Sequence, residues 1–326
     1  MTRETYWNRA EENLRAMSRT ARGILDTSAS MDKKDKMAVT DGETAKDLAV
    51  RNFADAFDLA WESRYRVIGE VAELRAFIEK IAETINRGLL REGLLYRNGA
   101  DSAIFNYTPV ARVEASASWF YEHLFSLLCR ETYDAVEAAA TAEYYINLTV
   151  HFFADGCSKC AMSVAAWLLM RVGHALPVYP GGGRYFEICK RFRGASAGSE
   201  CDREDFDIFL RYYRTLFAED ASCESANQMT LILPRKIDFD NFGKVEAQID
   251  TLLQTVRPVT IRMDAGELEF ISSAGLRMLT RLINEYKDLV IFNASETVYE
   301  VLAVSGFTSL MRVDRRPEEI TRMASS

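Results

Sequence analysis

The spacing of apolar positions changes period once along this chain, near residue 228, and the change separates two kinds of structure. From Glu4 to about Phe217 the apolar residues recur three and four apart, the spacing of helices with one face in a core. Tyr6, Trp7, Ala10, Leu14, Met17, Ala21 and Leu25 mark a first amphipathic helix. The charged, Ser/Lys/Asp-rich stretch from Thr27 to Thr44 has no such period and reads as a connector. Helical spacing returns from Ala45 to Leu90 and from Val113 to Leu128, and a further helix ends near Val150. A strongly apolar helix is expected from Lys159 to Val172, with Ala161, Val164, Ala165, Leu168, Leu169 and Val172 on one stripe. Gly173 opens a break through Pro177 and the turn Pro180-Gly181-Gly182-Gly183, and a last helix covers Asp205 to Phe217.

One stretch departs from this helical pattern. Leu94 to Pro109 holds two β-prone runs, Leu94-Leu95-Tyr96 and Ala103-Ile104-Phe105-Asn106-Tyr107, around Asn98-Gly99. That is a hairpin signal, with a plain loop between helices as the alternative.

The polar, acidic segment Glu219 to Asn227 reads as a linker, and beyond it short strands alternate with helices. Strands are expected at Thr230–Leu233, Val259–Met263 and Leu289–Phe292, and helices at Phe242–Leu253, Leu276–Tyr286 and Glu296–Ser305, the last ended by Gly306. This alternation implies an α/β domain with a small mixed sheet covered by helices. The expected organisation is multi-domain. An N-terminal helix and charged connector fill 1–44, a mostly α-helical domain with a small β-hairpin 45–218, a linker 219–227, and the α/β domain 228–326.

Composition narrows the function classes. A chain of 326 residues has room for two cores, and 48% hydrophobic with 27% charged residues is a soluble globular balance. The net charge of −8 argues against a general nucleic-acid or anionic-membrane binder, which relies on excess Lys and Arg. The longest apolar run, Ala161 to Met170, falls short of the roughly 20 residues that span a bilayer. The N-terminus lacks a secretory apolar core, so the expected location is the cytoplasm. The six cysteines are then reduced thiols. Cys157 and Cys160 form a C-x-x-C with no second pair or finger-spaced His, a weak signal for zinc or redox use.

Two constellations carry chemistry. The first is the turn Ile271-Ser272-Ser273-Ala274-Gly275-Leu276, where an apolar segment closes and a helix opens. Ser272 or Ser273 can cap that helix, and a phosphate there meets the positive end of the helix dipole. With Ile261-Arg262-Met263-Asp264, Val290-Ile291-Phe292-Asn293 and Val301-Leu302 through Val304-Ser305-Gly306-Phe307 in order around it, the stretch Thr230–Val313 resembles a STAS domain, the fold of bacterial anti-sigma-factor antagonists. The resemblance implies a protein-docking surface and a phosphoacceptor at Ser273, less so at Ser272, which stands where the family has Asp.

The second is His151-Phe152-Phe153-Ala154-Asp155-Gly156-Cys157-Ser158-Lys159 between two helices. His151 is a base candidate, Asp155 a hard-metal ligand, and the small-residue turn with Lys159 an anion cradle at a helix N-terminus. A structural His beside an Asp is the plainer alternative. Glu92 to Phe217 resembles the Fic/Fido superfamily, helical enzymes that mostly transfer AMP from ATP to a protein hydroxyl. His151, Phe153, Asp155 and Gly156 match its motif, and Lys159 stands at the first Arg. The family's Pro, Asn, second Gly and last Arg are Phe152, Cys157, Ser158 and Met162 here.

The resemblance implies His151 as catalytic base, Asp155 as Mg²⁺ ligand, and Gly156, Cys157, Ser158 and Lys159 around the phosphates of ATP or another nucleotide. Two functions follow as expectations. One is a bacterial signalling enzyme, a nucleotidyl or phosphoryl transferase controlled by the STAS-like domain. The other is a catalytically inactive Fic-like module joined to a partner-switching domain. Both imply protein partners, an anti-sigma-like kinase or a target protein, and neither implies nucleic acid or membrane.

Overall fold

The computed structural model describes residues 1–20, 45–99, 107–180, 185, 197–217, 228–286 and 288–317. The chain divides into two compact units. Met1–Arg64, Arg75–Leu124 and Asp134–Ser222 form the first; Tyr65–Leu74, Phe125–Tyr133 and Cys223–Ser326 form the second. The connector Thr27–Thr44, the stretch Ala103–Asn106 of the expected hairpin, the glycines of the 180–183 turn, Cys189, and the linker with Cys223 lie outside the described residues.

The helices in chain order are α1 (Arg3–Thr20), α2 (Ala45–Glu62), α3 (Val71–Asn86), α4 (Val113–Leu128) and α5 (Ala135–Ala142). After α5 the chain continues as a π-helix, Glu143–Thr149, and then α6 (Cys157–Met170) and α7 (Glu200–Arg214). Asp134 starts α5 as its N-cap, accepting from the N–H groups of Val136 and Glu137. Within α6 every residue but Ser158 and Lys159 is buried, so this helix is the axis of the first unit. Its Trp167 is fully buried, donates Nε1–H to Ser63 O at 2.8 Å and packs on Phe77. A single α-helix was expected up to Val150; the π-turn widens its end over the fully buried Glu143, Tyr144 and Ile146.

In the second unit β1 (Gln228–Ile232), β3 (Thr260–Asp264), β5 (Leu289–Ala294) and β6 (Arg312–Arg315) form one sheet in the order β1-β3-β5-β6. The short β2 (Lys236–Ile237) and β4 (Phe270–Ile271) pair separately. Every pairing among these strands is parallel, which corrects the expected mixed sheet. The reason is connectivity. A helix returns the chain between successive strands of the main sheet: α8 (Phe242–Val256), α9 (Ser273–Glu285) and α10 (Glu296–Val304). Met229, Leu231, Ile261, Met263, Leu289 and Ile291 face the helices' Ile249, Leu253, Leu279, Leu282 and Leu302 in one core.

This core also takes in Val67, from the break between α2 and α3 that apolar spacing alone did not reveal. Val67 N–H donates to Ile232 O at 2.8 Å, and Ile232 N–H to Tyr65 O at 3.1 Å, so the segment runs parallel along the free edge of β1. Gln248, itself buried, grips the next residue by both backbone groups: Ile68 N–H donates to Oε1 at 3.1 Å and Nε2–H donates to Ile68 O at 2.7 Å. Arg66 and Glu267 make a bidentate ion pair at 2.6 and 2.7 Å, which holds the Glu267 carboxyl below its usual range. Gly69 is needed here, because a Cβ would come within 2.9 Å of Pro234 Cβ.

Two outcomes are expected. Gln248→Ala leaves the Ile68 N–H and C=O without partners and lowers stability by about 2–4 kcal/mol, read from urea unfolding, with faster amide exchange at Ile68. Gly275→Val drives a Cβ to 2.7 Å from Ile271 Cγ1 and 2.8 Å from Ile237 Cγ2. Its overpacking cost is about 1–3 kcal/mol, read as a lower unfolding midpoint.

Candidate functional site

The site in the first unit is built on the turn that joins the π-helix to α6. His151 has φ +50°, left-handed backbone that a non-glycine residue adopts only when its surroundings impose it. The surroundings are visible. His151 N–H donates to Tyr145 O at 3.1 Å, and Arg97, buried, donates from Nε to His151 O at 3.1 Å and from Nη2 to Val150 O at 3.1 Å and to Thr108 O. The Leu94–Arg97 run lies antiparallel along the motif, with Ala154 N–H on Leu95 O at 2.8 Å and Arg97 N–H on Phe152 O at 2.9 Å. The first β-prone run of the expected hairpin is therefore in extended pairing, and its observed partner is the motif loop.

The His151 ring has one defined tautomer. Its Nδ1 lies 2.9 Å from Asn147 O, an acceptor only, so Nδ1 carries the proton and Nε2 the lone pair. Among the described residues Nε2 has no hydrogen-bond partner. Tyr107 stacks on the imidazole, with centroids 4.1 Å apart and planes 7° from parallel. Burial lowers the His151 pKa to about 4; the Arg97 charge adds to this, opposed by the bond to Asn147 O and by Asp155. The ring is thus neutral at physiological pH.

Asp155 and Gly156 shape the start of α6. Asp155 Oδ1 accepts the Gly156 N–H at 2.7 Å, and Asn86 Nδ2 donates to Asp155 O at 3.0 Å. Gly156 has φ +70°, and a Cβ there would lie 2.7 Å from Ile85 Cγ2, so glycine is required on both counts. As N-cap it has no side chain to accept the first N–H groups of the helix, which leaves them directed outward. Lys159 is half-buried, and burial lowers its pKa; among the described residues it makes no ion pair or hydrogen bond. A cation held this way, next to uncapped N–H groups, suits an anion.

The other motif positions turn away from that place. Cys157 is buried, with Sγ 3.4 Å from Phe153 O, and burial pushes its thiol pKa well up. Cys160 is buried too, and both are free thiols, so the C-x-x-C is part of the core. Met162 is likewise buried. Ser158 donates its hydroxyl proton to Asn147 Oδ1 at 2.7 Å. Sequence reading missed Asn147, Arg97, Tyr107 and Asn86. Only Asn147 had a signal, since it stands one helical turn before His151.

In the second unit the serine turn divides its roles between two residues. Ser272 is the N-cap of α9 and accepts the Gly275 N–H at 3.5 Å; its own N–H donates to Ile237 O at 2.8 Å. Ser273 is the first residue of the helix and is exposed. Phe270 and Phe239, on the chain just around β4 and β2, are also exposed. Ser272 thus supports the turn, and Ser273 beside it is exposed.

Among the described residues no cluster of three or more His, Cys, Asp or Glu can hold a metal, and no helix is long and apolar enough to cross a membrane. No curated protein matches this chain. A solved Fic domain-containing signaling protein from Bacteroides thetaiotaomicron is 12% identical, with a TM-score of 0.45, covering 77% of this chain and 91% of that one. A likeness that distant carries no activity across. A family model for the STAS domain matches residues 224–320, where the parallel sheet and the Ser272–Ser273 turn lie. The C-terminal part of this chain, residues 224–320, is a STAS domain.

Proposed function

We propose that this chain is a signalling protein whose N-terminal unit transfers a nucleotidyl group, AMP, or a phosphoryl group from a nucleotide such as ATP to a protein hydroxyl, under control of the STAS domain. One observation carries the reading: His151 is neutral and held with its Nε2 lone pair unengaged among the described residues, beside a cation and the start of α6, whose N-cap has no side chain. In AMP transfer, Nε2 takes the proton of the target hydroxyl as its oxygen bonds to the α-phosphorus and pyrophosphate leaves. Lys159 and the N–H groups of α6 hold the phosphate charge.

The residues suit Mg²⁺ as a phosphate-borne ion, not as one caged by protein. Asp155 supplies one carboxylate, with Oδ1 on the Gly156 N–H and Oδ2 left for a cation. Bound there, Mg²⁺ supplies neutralisation of the phosphate oxygens. On the STAS side, a phosphate on exposed Ser273 adds about two negative charges at a helix start where protein partners dock. The intended partners are a kinase and a target protein, and the location is the cytoplasm.

A specific observation favours a second reading, a catalytically inactive Fic-like module joined to a STAS domain that acts by partner-switching protein binding. Cys157 and Met162 occupy the core and make no phosphate contact, so two groups that hold phosphates in Fic enzymes have no counterpart here.

Incubation with labelled ATP and Mg²⁺ separates the two. The first reading expects a protein hydroxyl to be labelled, at a rate cut by about 10²–10⁴ in His151→Ala; equal labelling by both forms sinks it. No labelling by wild type, together with no Mg²⁺-dependent nucleotide binding, is the outcome expected of the second reading; tight Mg²⁺-dependent binding that is lost in Asp155→Ala counts against it. Because the His151 pKa is lowered to about 4, its protonation removes activity only as pH falls towards that value, so the acid limb lies well below the usual histidine range. Intact mass of the natively purified chain tests the switch: one phosphate is expected, absent from Ser273→Ala.

A further inference from the structure

Glu143 opens the π-helix fully buried, yet plays no part in the transfer chemistry above. Its carboxylate accepts Tyr179 O–H at 2.5 Å and Tyr185 O–H at 2.9 Å. It also faces Asn147 Nδ2 at 3.5 Å, a long contact in which the field of a buried anion still orients the amide. A carboxylate accepts only, so the nitrogen end of the Asn147 amide points to Glu143 and the oxygen end to Ser158. Oδ1 then takes the one hydroxyl proton of Ser158, at 2.7 Å. What Ser158 presents at the start of α6 is lone pairs, which repel a phosphate.

We propose that Glu143 is a positioning residue that decides, through Asn147, whether the Ser158 hydroxyl proton is held inside the protein or donated to an anion at the start of α6. This rests on the reading that a phosphate binds there. The atoms balance in both settings. With Glu143 ionised, the order of donation is Ser158 O–H to Asn147 Oδ1 and Asn147 Nδ2–H to Glu143. With Glu143 protonated, the amide turns over: Glu143 O–H donates to Asn147 Oδ1, Asn147 Nδ2–H donates to Ser158 Oγ, and the Ser158 proton is released towards the ligand. Tyr179 and Tyr185 keep carboxyl oxygens to donate to throughout.

Both settings are populated near neutrality, because burial raises the Glu143 pKa to about 7 against the lowering effect of Tyr179, Tyr185 and Asn147. The titratable groups that face it among the described residues are Tyr179, Tyr185, Tyr213 of α7 and Cys160 of α6; burial raises the pKa values of Tyr179, Tyr213 and Cys160, which stay neutral in this range. Among the described residues no charged side chain competes for Glu143.

The test measures pyrophosphate binding to the full chain by calorimetry on the acid and alkaline sides of pH 7, for wild type, Ser158→Ala and Glu143→Gln. Affinities are taken relative to Ser158→Ala at each pH, so the ligand's own titration cancels. Wild type is expected to exceed Ser158→Ala by about tenfold to a hundredfold on the acid side, the gain of one hydrogen bond to a charged group, and to match it on the alkaline side. Glu143→Gln, whose amide donates to Asn147 Oδ1 at any pH, is expected to keep the gain throughout. A ratio that does not change with pH overturns the proposal. The side-chain amide resonance of Asn147 reads the relay without ligand: it should move with a midpoint near 7 in wild type and stay fixed in Glu143→Gln. If no form binds pyrophosphate, the phosphate-site reading falls with its anion. An Asn147 resonance indifferent to pH refutes the relay on its own.

Discussion

The candidate site depends on one residue used three ways. Asn147 accepts the His151 Nδ1 proton on its backbone carbonyl, takes the Ser158 proton on its amide oxygen, and turns its amide nitrogen to Glu143. In an α-helix its carbonyl would accept an N–H four residues on, and the imidazole would have to share that acceptor. The π-turn and the left-handed His151 break that ladder, so the carbonyl is available to the ring. Backbone strain at His151 is held by Arg97, which ties the successive carbonyls of Val150 and His151 to that of Thr108.

The core also limits which motif residues reach the surface of the turn. α6 is the central helix of its unit, and any side chain on its inner faces is claimed by the core. Cys157 and Met162 fall on those faces. Within α6 only Ser158 and Lys159 escape burial.

The STAS domain is organised by parallel pairing. Each strand of its main sheet needs a helical crossover, and the serine turn sits where one crossover begins, tied to β2 through the Ser272 N–H. The close approach of Gly275 to Ile237 and Ile271 sets that geometry. The edge of β1 is covered by Tyr65–Leu74 from far upstream, which protects an otherwise open strand edge.

Periodicity made α1, α4, α6, the strands β1, β3 and β5 and the helices between them legible, because each buries one face and repeats accordingly. The placement of His151 and Asp155 in a turn between helices, and of Ser272 at a helix start, was also legible from residue type and local order. The parallel sheet, the break at Ser63–Gly69 and the π-turn were not, since each answers to partners distant in the chain: Ile232 and Gln248 for the first segment, Tyr179 and Tyr185 for Glu143. By itself the sequence determined most of the elements and the change of period, which depend on neighbours a few positions away. Only the tertiary structure decided the tautomer of His151, the inward turn of Cys157 and the hold on the Ser158 proton. Those depend on which buried donor meets which acceptor, and chain spacing does not encode that.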